Sequence, residues 1–316
     1  MGWISKYRYI VLLTVCCLIG GIGLEGILVT PAHSAQTSQD EALANNLDRW
    51  NFPIRSIGVG TAYAADANGI QGGLTNPASL SRLQSNEFSI EYQRWGESWD
   101  MFNMGIASPQ YGGQSVAFHT SWLDYGELEP QEDTELFRPQ GNELKSGVTY
   151  SYRFSKNSAL GVTGNVMSSD IGFRESEISY SVDLGYLYRL NNQIWFGASA
   201  KNASGTLQVD TGPEKLPTQV RGGVVWYFLQ DRGALTTDLV FHDPGETADE
   251  QIGGAGGARI LIFNHYRFSA GYHNYYEDRS GMTGAVELVY PDISWKTSYL
   301  NTGKDDVIRI GANLRF

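Results

Sequence analysis

Histidines are the natural place to look for proton transfer or metal binding. His119, His242, His265 and His273 lie in the body of the chain. Nucleophilic catalysis would need one of them beside a Ser or Thr and an orienting acid, yet none sits in H-E-x-x-H or next to a G-x-S-x-G turn. His119 and His273 fall on the polar side of alternating segments and read as hydrogen-bonded interior residues. The glycines Gly253, Gly254, Gly256 and Gly257 lack the Lys-Ser/Thr of a phosphate loop and read instead as a bend or a close backbone approach. The carboxylates Asp124, Glu127, Glu129, Glu132, Asp133 and Glu135 offer oxygen ligands of the kind Ca²⁺ takes, but without the twelve-residue loop pattern. A solvated, self-repelling loop fits them better, with weak cation or partner contact as the alternative. No catalytic residue, metal site or cofactor is therefore expected.

Composition narrows the class. The 316 residues carry 23 Lys plus Arg against 34 Asp plus Glu, a net charge of -11, which argues against nucleic-acid binding. Aromatics at 12% and 37 glycines exclude a disordered chain, and a mean hydropathy of -0.28 excludes a bundle of membrane helices.

Residues 1–35 read as a secretory signal peptide: Lys6 and Arg8, an apolar run from Tyr9 to Leu24, then small residues around Ala32, Ser34 and Ala35. An uncleaved anchor is the alternative. Cys16 and Cys17 lie in this segment, so cleavage would leave no thiol. Removing Lys6, Arg8 and Glu25 leaves 21 bases against 33 acids, or -12.

From residue 85 to 316 the sequence alternates with a period of two. The final stretch places Ile308, Ile310, Ala312, Leu314 and Phe316 on one face and Arg309, Gly311, Asn313 and Arg315 on the other. Similar segments predict about fourteen strands, an even number suited to an antiparallel membrane barrel. A soluble β-sandwich would also alternate, so the connections decide. Short links (110–113, 156–157, 191–192, 230–232, 291) take turns with mostly longer ones (125–144, 203–217, 243–252), the two-rim asymmetry of an outer-membrane barrel. Asp124–Glu143 and Asp243–Glu250 alone carry -10 of the charge. Glu91, Arg153, Asp183, Arg221, Arg267 and Arg309 fall on the polar face and are expected to line the lumen, because lipid contact would be costly. Trp95, Trp122, Tyr188, Trp226, Tyr290 and Tyr299 suit interfacial girdles.

Residues 36–84 do not alternate. They are rich in small residues and contain Asn76-Pro77-Ala78, a turn-forming sequence. Such a segment fits inside a barrel as a hatch, or outside it as a periplasmic arm.

The run Arg55-Ser56-x-Gly58-x-Gly60-x-Ala62, Asp66 shortly after, and Asn76-Pro77-Ala78 resemble the start of the PorV/PorQ family, relatives of the FadL-type channels. Leu123–Glu129, Val182–Arg189, Gly197–Asn202 and Leu216–Gly223 extend the resemblance in the same order across roughly Phe52 to Phe316. The resemblance implies a bacterial outer-membrane barrel with a hatch shaped by Gly58, Gly60, Asp66, Asn76, Pro77 and Ala78. The terminal Phe316 is similar to the sorting signal read by the barrel-assembly machinery. The expected partners are outer-membrane lipid, that machinery, and either secretion-system components with cargo proteins or hydrophobic solutes. The first reading is a non-enzymatic barrel assisting type IX-like protein secretion or passage across the outer membrane. Its alternatives are a FadL-type channel for hydrophobic small molecules, which predicts an apolar pocket between hatch and wall, and a surface scaffold or adhesin acting through the acidic loops.

Overall fold

The computed structural model describes residue 47 and residues 51–95, 99–127, 140–171, 177–209, 212–243, 251–274, 280–301 and 306–316. The expected signal segment, the start of the hatch and most of both acidic loops lie outside the described residues.

The alternating region folds as strands β1 (Glu87–Trp95), β2 (Trp99–Pro109), β3 (Gln114–Glu127), β4 (Gln140–Arg153), β5 (Ser158–Ile171), β6 (Glu177–Arg189), β7 (Ile194–Val209), β8 (Gly212–Lys215), β9 (Thr218–Phe228), β10 (Gly233–Asp243), β11 (Gln251–Ile262), β12 (Tyr266–Asn274), β13 (Gly281–Val289), β14 (Ile293–Asn301) and β15 (Asp306–Arg315). Chain neighbours pair antiparallel, and β1 pairs with β15 from Glu87↔Arg315 to Trp95↔Val307. The wall is thus a closed barrel of 14 strands. The short β8 stands apart from it, pairing with the far end of β7 from Thr206↔Lys215 to Val209↔Gly212 while β7 continues around the wall to β9.

Polarity is inverted relative to a soluble protein. In β1 the inward Glu87, Ser89, Glu91 and Gln93 are buried while the outward Ile90 is 47% exposed. The same division places Phe102, Met104 and Ile106, or Tyr180, Val182 and Leu184, on the outside. An apolar exterior around a polar lumen is stable where the surroundings are lipid. At nine residues each, β12, β13 and β14 have the length a tilted strand needs to cross a bilayer core. Strands β3 to β7 run to 13–16 residues; their short-turn ends stay level, so the excess rises on the long-loop side. Outward aromatics adjoin near that end, with Tyr92 and Phe102 at 4.9 Å and Phe102 and Trp122 at 5.7 Å between ring centroids. Trp122, Trp226, Tyr290 and Tyr299 face outward as expected of girdle residues. Trp95 does not: its position in β1 turns it inward, where it is 5% exposed.

The hatch segment lies in the lumen, which excludes the external arm for residues 51–84. It contains α1 (Ile54–Ile57), α2 (Gly69–Gly73) and a 3-10 turn (Pro77–Arg82), nearly all buried. Short helices suit a chain so rich in glycine. Asn76 starts the last element by accepting from the Ala78 amide at 3.1 Å, with Pro77 at the first position where no amide is needed. Two apolar levels sandwich the charged middle of the lumen. At the long-loop end Leu47, Phe52 and Ile57 pack with Trp95, Met101, Leu123, Tyr125, Val240, Leu300 and Val307. At the short-turn end Leu80 and Leu83 meet Ala107 and Ala117, and Ala65 meets Val225 and Tyr227.

Candidate functional site: the seam between hatch and wall

Three cross-strand glycine pairs make room for the hatch backbone. Gly161 and Gly185 face each other across β5 and β6, and a Cβ on either would come within 2.8 Å of the Ala78 amide nitrogen. Gly257 and Gly271 pair across β11 and β12 beneath Val59 and Gly60. Gly197 pairs with Gly223 across β7 and β9, and a Cβ on Gly197 would meet the Ala64 carbonyl oxygen at 2.1 Å. Gly60 itself has φ +68, a left-handed turn that suits glycine. Its amide donates to Thr283 Oγ1 at 2.9 Å. Gly58 stands close to Ser269 and Ala285 of the wall, where a Cβ would come within 3.0 Å of both side chains. Of the run Gly253–Gly257, Gly257 makes the close approach expected from sequence.

The Asn76-Pro77-Ala78 turn is held by neutral contacts. Asn76 Nδ2 donates to the Ala64 carbonyl at 2.8 Å and to the Tyr186 carbonyl of the wall at 3.1 Å, while Ser151 Oγ donates to the Ala78 carbonyl at 3.3 Å.

The opposite side of the hatch is held by charge. Asp66 accepts from Arg259 Nε and Nη2, both at 2.9 Å, and from the Tyr227 hydroxyl at 2.7 Å. Burial opposes the Asp66 charge, but Arg259 outweighs it and holds the carboxyl down at about 2. Arg55 Nη2 donates to Glu287 Oε1 at 2.7 Å, and Arg267 donates to Glu287 Oε2. Lys296 stands 3.8 Å from the same carboxylate and donates to Gln71 Oε1. Arg309, fully buried, lies 3.5 Å from Glu91, which also accepts from the Ile54 amide at 3.3 Å. Arg221 donates to the Thr61 carbonyl at 3.0 Å and lies 3.9 Å from Asp238, whose Oδ2 accepts from the amides of Tyr63 and Ala64 at 2.8 and 2.9 Å.

The structure therefore brings Glu91, Arg221, Arg267 and Arg309 to the seam with Gly58, Gly60, Asp66, Asn76, Pro77 and Ala78. Asp183 faces the lumen away from the hatch contacts, accepting from Asn165 Nδ2 at 2.9 Å and from the Asn202 amide at 2.8 Å, where β7 bulges against β6. Arg153 is a correction: it has the inward parity, but as the last residue of β4 it is exposed at the short-turn rim and does not line the lumen. Phe316 is paired to Asn86 through both backbone groups at 3.1 Å, and its side chain is 66% exposed. Sequence alternation also puts Arg259 and Glu287 on the polar, lumen-facing side of their strands, as found, but it missed Lys296 and the paired wall glycines. A signal existed for the charged group, because the register aligns Arg267, Glu287 and Lys296 on three successive strands. Among the described residues no group of three His, Cys, Asp or Glu side chains comes together to hold a metal ion.

Two cavities open at the seam. One of about 60 Å³ is lined by Arg55, Tyr63, Asp66, Arg267, Glu287 and Lys296 among others; the second, of about 10 Å³, adjoins Gln71, Glu91 and His119. An apolar void of about 150 Å³ is what accommodates benzene. Both cavities are too small for such a ring, so neither is the apolar pocket expected of a hydrophobic-solute channel.

No protein-family model matches the chain, and no curated protein sequence matches it. Solved structures share its fold. The toluene transporter TodX of Pseudomonas putida superposes with a TM-score of 0.64 at 11% identity, over 83% of this chain and 97% of its own. The toluene transporter TbuX of Ralstonia pickettii gives 0.62 at 13% identity, over 84% and 98%. The monoaromatic hydrocarbon channel CymD gives 0.63 at 12%, over 84% and 97%. At such identities the likeness establishes the fold alone, the closed barrel of 14 antiparallel strands.

Proposed function

We propose that this chain is an outer-membrane channel for small hydrophobic molecules, captured here with its hatch seated in the lumen. The observation that carries this reading is the shared fold, which spans nearly the whole length of proteins described as toluene transporters or monoaromatic hydrocarbon channels. The apolar level at the long-loop end of the lumen adds support. A lumen built for hydrophilic solutes has no use for Phe52, Trp95, Met101 and Tyr125 packed together there, whereas a hydrophobic solute would partition into such a layer. Because the cavities below are too small for a monoaromatic ring, passage requires the hatch to shift. The apolar exterior and the aromatic girdle residues favour a place in the outer membrane.

The test is uptake of labelled toluene by proteoliposomes carrying the full chain, compared with empty vesicles and with a hatch-locked variant cross-linked between Ala78 and Ser151 replaced by cysteines. Uptake accelerated by the wild type and suppressed by the cross-link supports the reading. Uptake no faster than in empty vesicles, together with secreted proteins co-purifying from the native envelope, would replace it with the secretion reading that the sequence resemblance to the PorV/PorQ family suggests.

A further inference from the structure

The larger cavity is unbalanced in charge. Among the described residues Arg55, Arg259, Arg267 and Lys296 line it against Asp66 and Glu287. Asp66 is fully engaged by Arg259 and Tyr227, so three cations, Arg55, Arg267 and Lys296, converge on the single carboxylate of Glu287. The next carboxylate along the wall, Glu91, is taken by Arg309. The next cation, Arg82, adds to the excess, with its partners the Ala67 carbonyl and the Tyr227 hydroxyl, both neutral. Lys296 is 3% exposed, so solvent cannot screen this surplus.

The same cavity holds donors with no acceptor. Among the described residues the Tyr63 hydroxyl, Arg55 Nε and Arg267 Nε are buried without a hydrogen-bond partner, and all three residues belong to the lining. Tyr63 is 2% exposed. Water could satisfy these donors, but a neutral molecule leaves the charge uncompensated, and buried unpaired charge is among the most costly features a fold can carry. An anion answers both needs, as acceptor and as counter-charge.

We propose that this cavity binds one small monovalent anion, of the size of chloride or formate, between the hatch and strands β11 to β14. At about 60 Å³ the space admits an ion of one to three heavy atoms and excludes a ring. The ion bridges Arg55 and Tyr63 of the hatch to Arg267 and Lys296 of the wall, so its binding is linked to hatch closure. The site is independent of what the barrel carries.

The experiment uses the full chain in detergent, with gluconate as an anion too large for the cavity. Chloride titrated in at constant ionic strength should raise the thermal midpoint saturably, and a crystal soaked in bromide should show one anomalous peak within hydrogen-bonding distance of the Tyr63 hydroxyl. Tyr63→Phe should weaken the apparent chloride affinity about tenfold, since the ring contacts with Val59 and Ala67 persist. Lys296→Met should abolish the chloride dependence without unfolding the barrel, because the surplus charge goes with it. A midpoint flat in chloride, or a chloride response unchanged in Tyr63→Phe, would overturn the proposal and leave water, or a neutral Lys296, as the occupant's substitute. Tyr63→Phe decides the matter even if Lys296→Met fails to fold.

Discussion

Against β4 to β6 the hatch meets glycine and neutral hydrogen-bonding groups; against β11 to β15 and β1 it meets charge in addition to the paired Gly257 and Gly271. Both contacts bury a polar segment inside a polar lumen, but they fix it by different physics. The Asn76–Ala78 turn is seated by shape, with Gly161 and Gly185 leaving no spare volume and neutral hydrogen bonds completing the fit. The segment from Ile54 to Asp66 adds ion pairs, Arg55 with Glu287 and Asp66 with Arg259, to its fit over Gly257, Gly271 and Gly197, next to a cavity. A shape-fitted seam is strong only at one position and loses everything on a small displacement. A charged seam beside a cavity answers to protons and ions as well as to shape. The difference makes the charged side the one that parts first if the hatch moves, with the Asn-Pro-Ala turn as the pivot.

Removing Glu287 is the largest expected blow to that arrangement. Glu287→Gln strands Arg55, Arg267 and Lys296 around a neutral amide, and breaking a buried pair in this way costs about 3–5 kcal/mol. Amide hydrogen exchange should then speed up across residues 54–61 while residues 77–83 keep their protection. Equal loss in both segments would erase the distinction between the seams.

Acid should reach the charged seam next. The Asp66 carboxyl, at about 2 in the folded protein, lies below the value near 4 of an unfolded chain, so its contribution is complete above about pH 4 and disappears as pH falls from about 4 to about 2. The amount lost is about 2–3 kcal/mol. Limited proteolysis over this range should open the hatch near Asp66, and Asp66→Asn should remove the pH dependence. A cleavage rate that does not change between pH 5 and pH 2 would count against the assignment.

The barrel was legible because an inside-outside period of two needs no knowledge of neighbours: each strand declares its faces in its own residues. The hatch was legible by contrast, as the stretch where that period fails. Height along the barrel was not legible, since alternation gives a residue's face but not its level. Arg153 has the inward parity yet sits at the rim, and Trp95, taken for a girdle residue, turns into the apolar level of the lumen. Pairing was also hidden. Gly161 and Gly185 become opposite one another only through the β5–β6 register, and Glu287 becomes the focus of three cations only because β12, β13 and β14 align. Nothing in the sequence around Lys201–Ala203 signals the bulge in β7 at which Asp183 accepts from the Asn202 amide, because a bulge is a property of two strands together.

The shape-fitted seam should respond to volume. Gly161→Ala puts a methyl group 2.3 Å from the Ala78 nitrogen and Gly185→Ala one 2.2 Å from Asn76 Oδ1, so each should cost roughly 1–3 kcal/mol of hatch seating. Ionic conductance in planar bilayers is a direct readout: a displaced hatch should leak more ions through the lumen than the wild type does. Gly164→Ala, whose Cβ would meet nothing within 4 Å, is the control and should stay silent.

The smallest effect is the most discriminating, because Asn76 performs two tasks with two ends of one amide. Its Oδ1 caps the 3-10 turn through the Ala78 amide, and its Nδ2 ties the turn to the Ala64 and Tyr186 carbonyls. Losing a cap costs about 0.5–2 kcal/mol, so Asn76→Ala alone cannot say which end matters. Asn76→Asp can, since a carboxylate keeps the acceptor and sets a negative charge against two carbonyl oxygens. If capping dominates, the aspartate variant should match the wild type in conductance and in exchange at residues 77–83. If the wall contact dominates, as a pivot requires, it should leak more than Asn76→Ala does, and lowering the pH enough to protonate the new carboxyl should restore the seal.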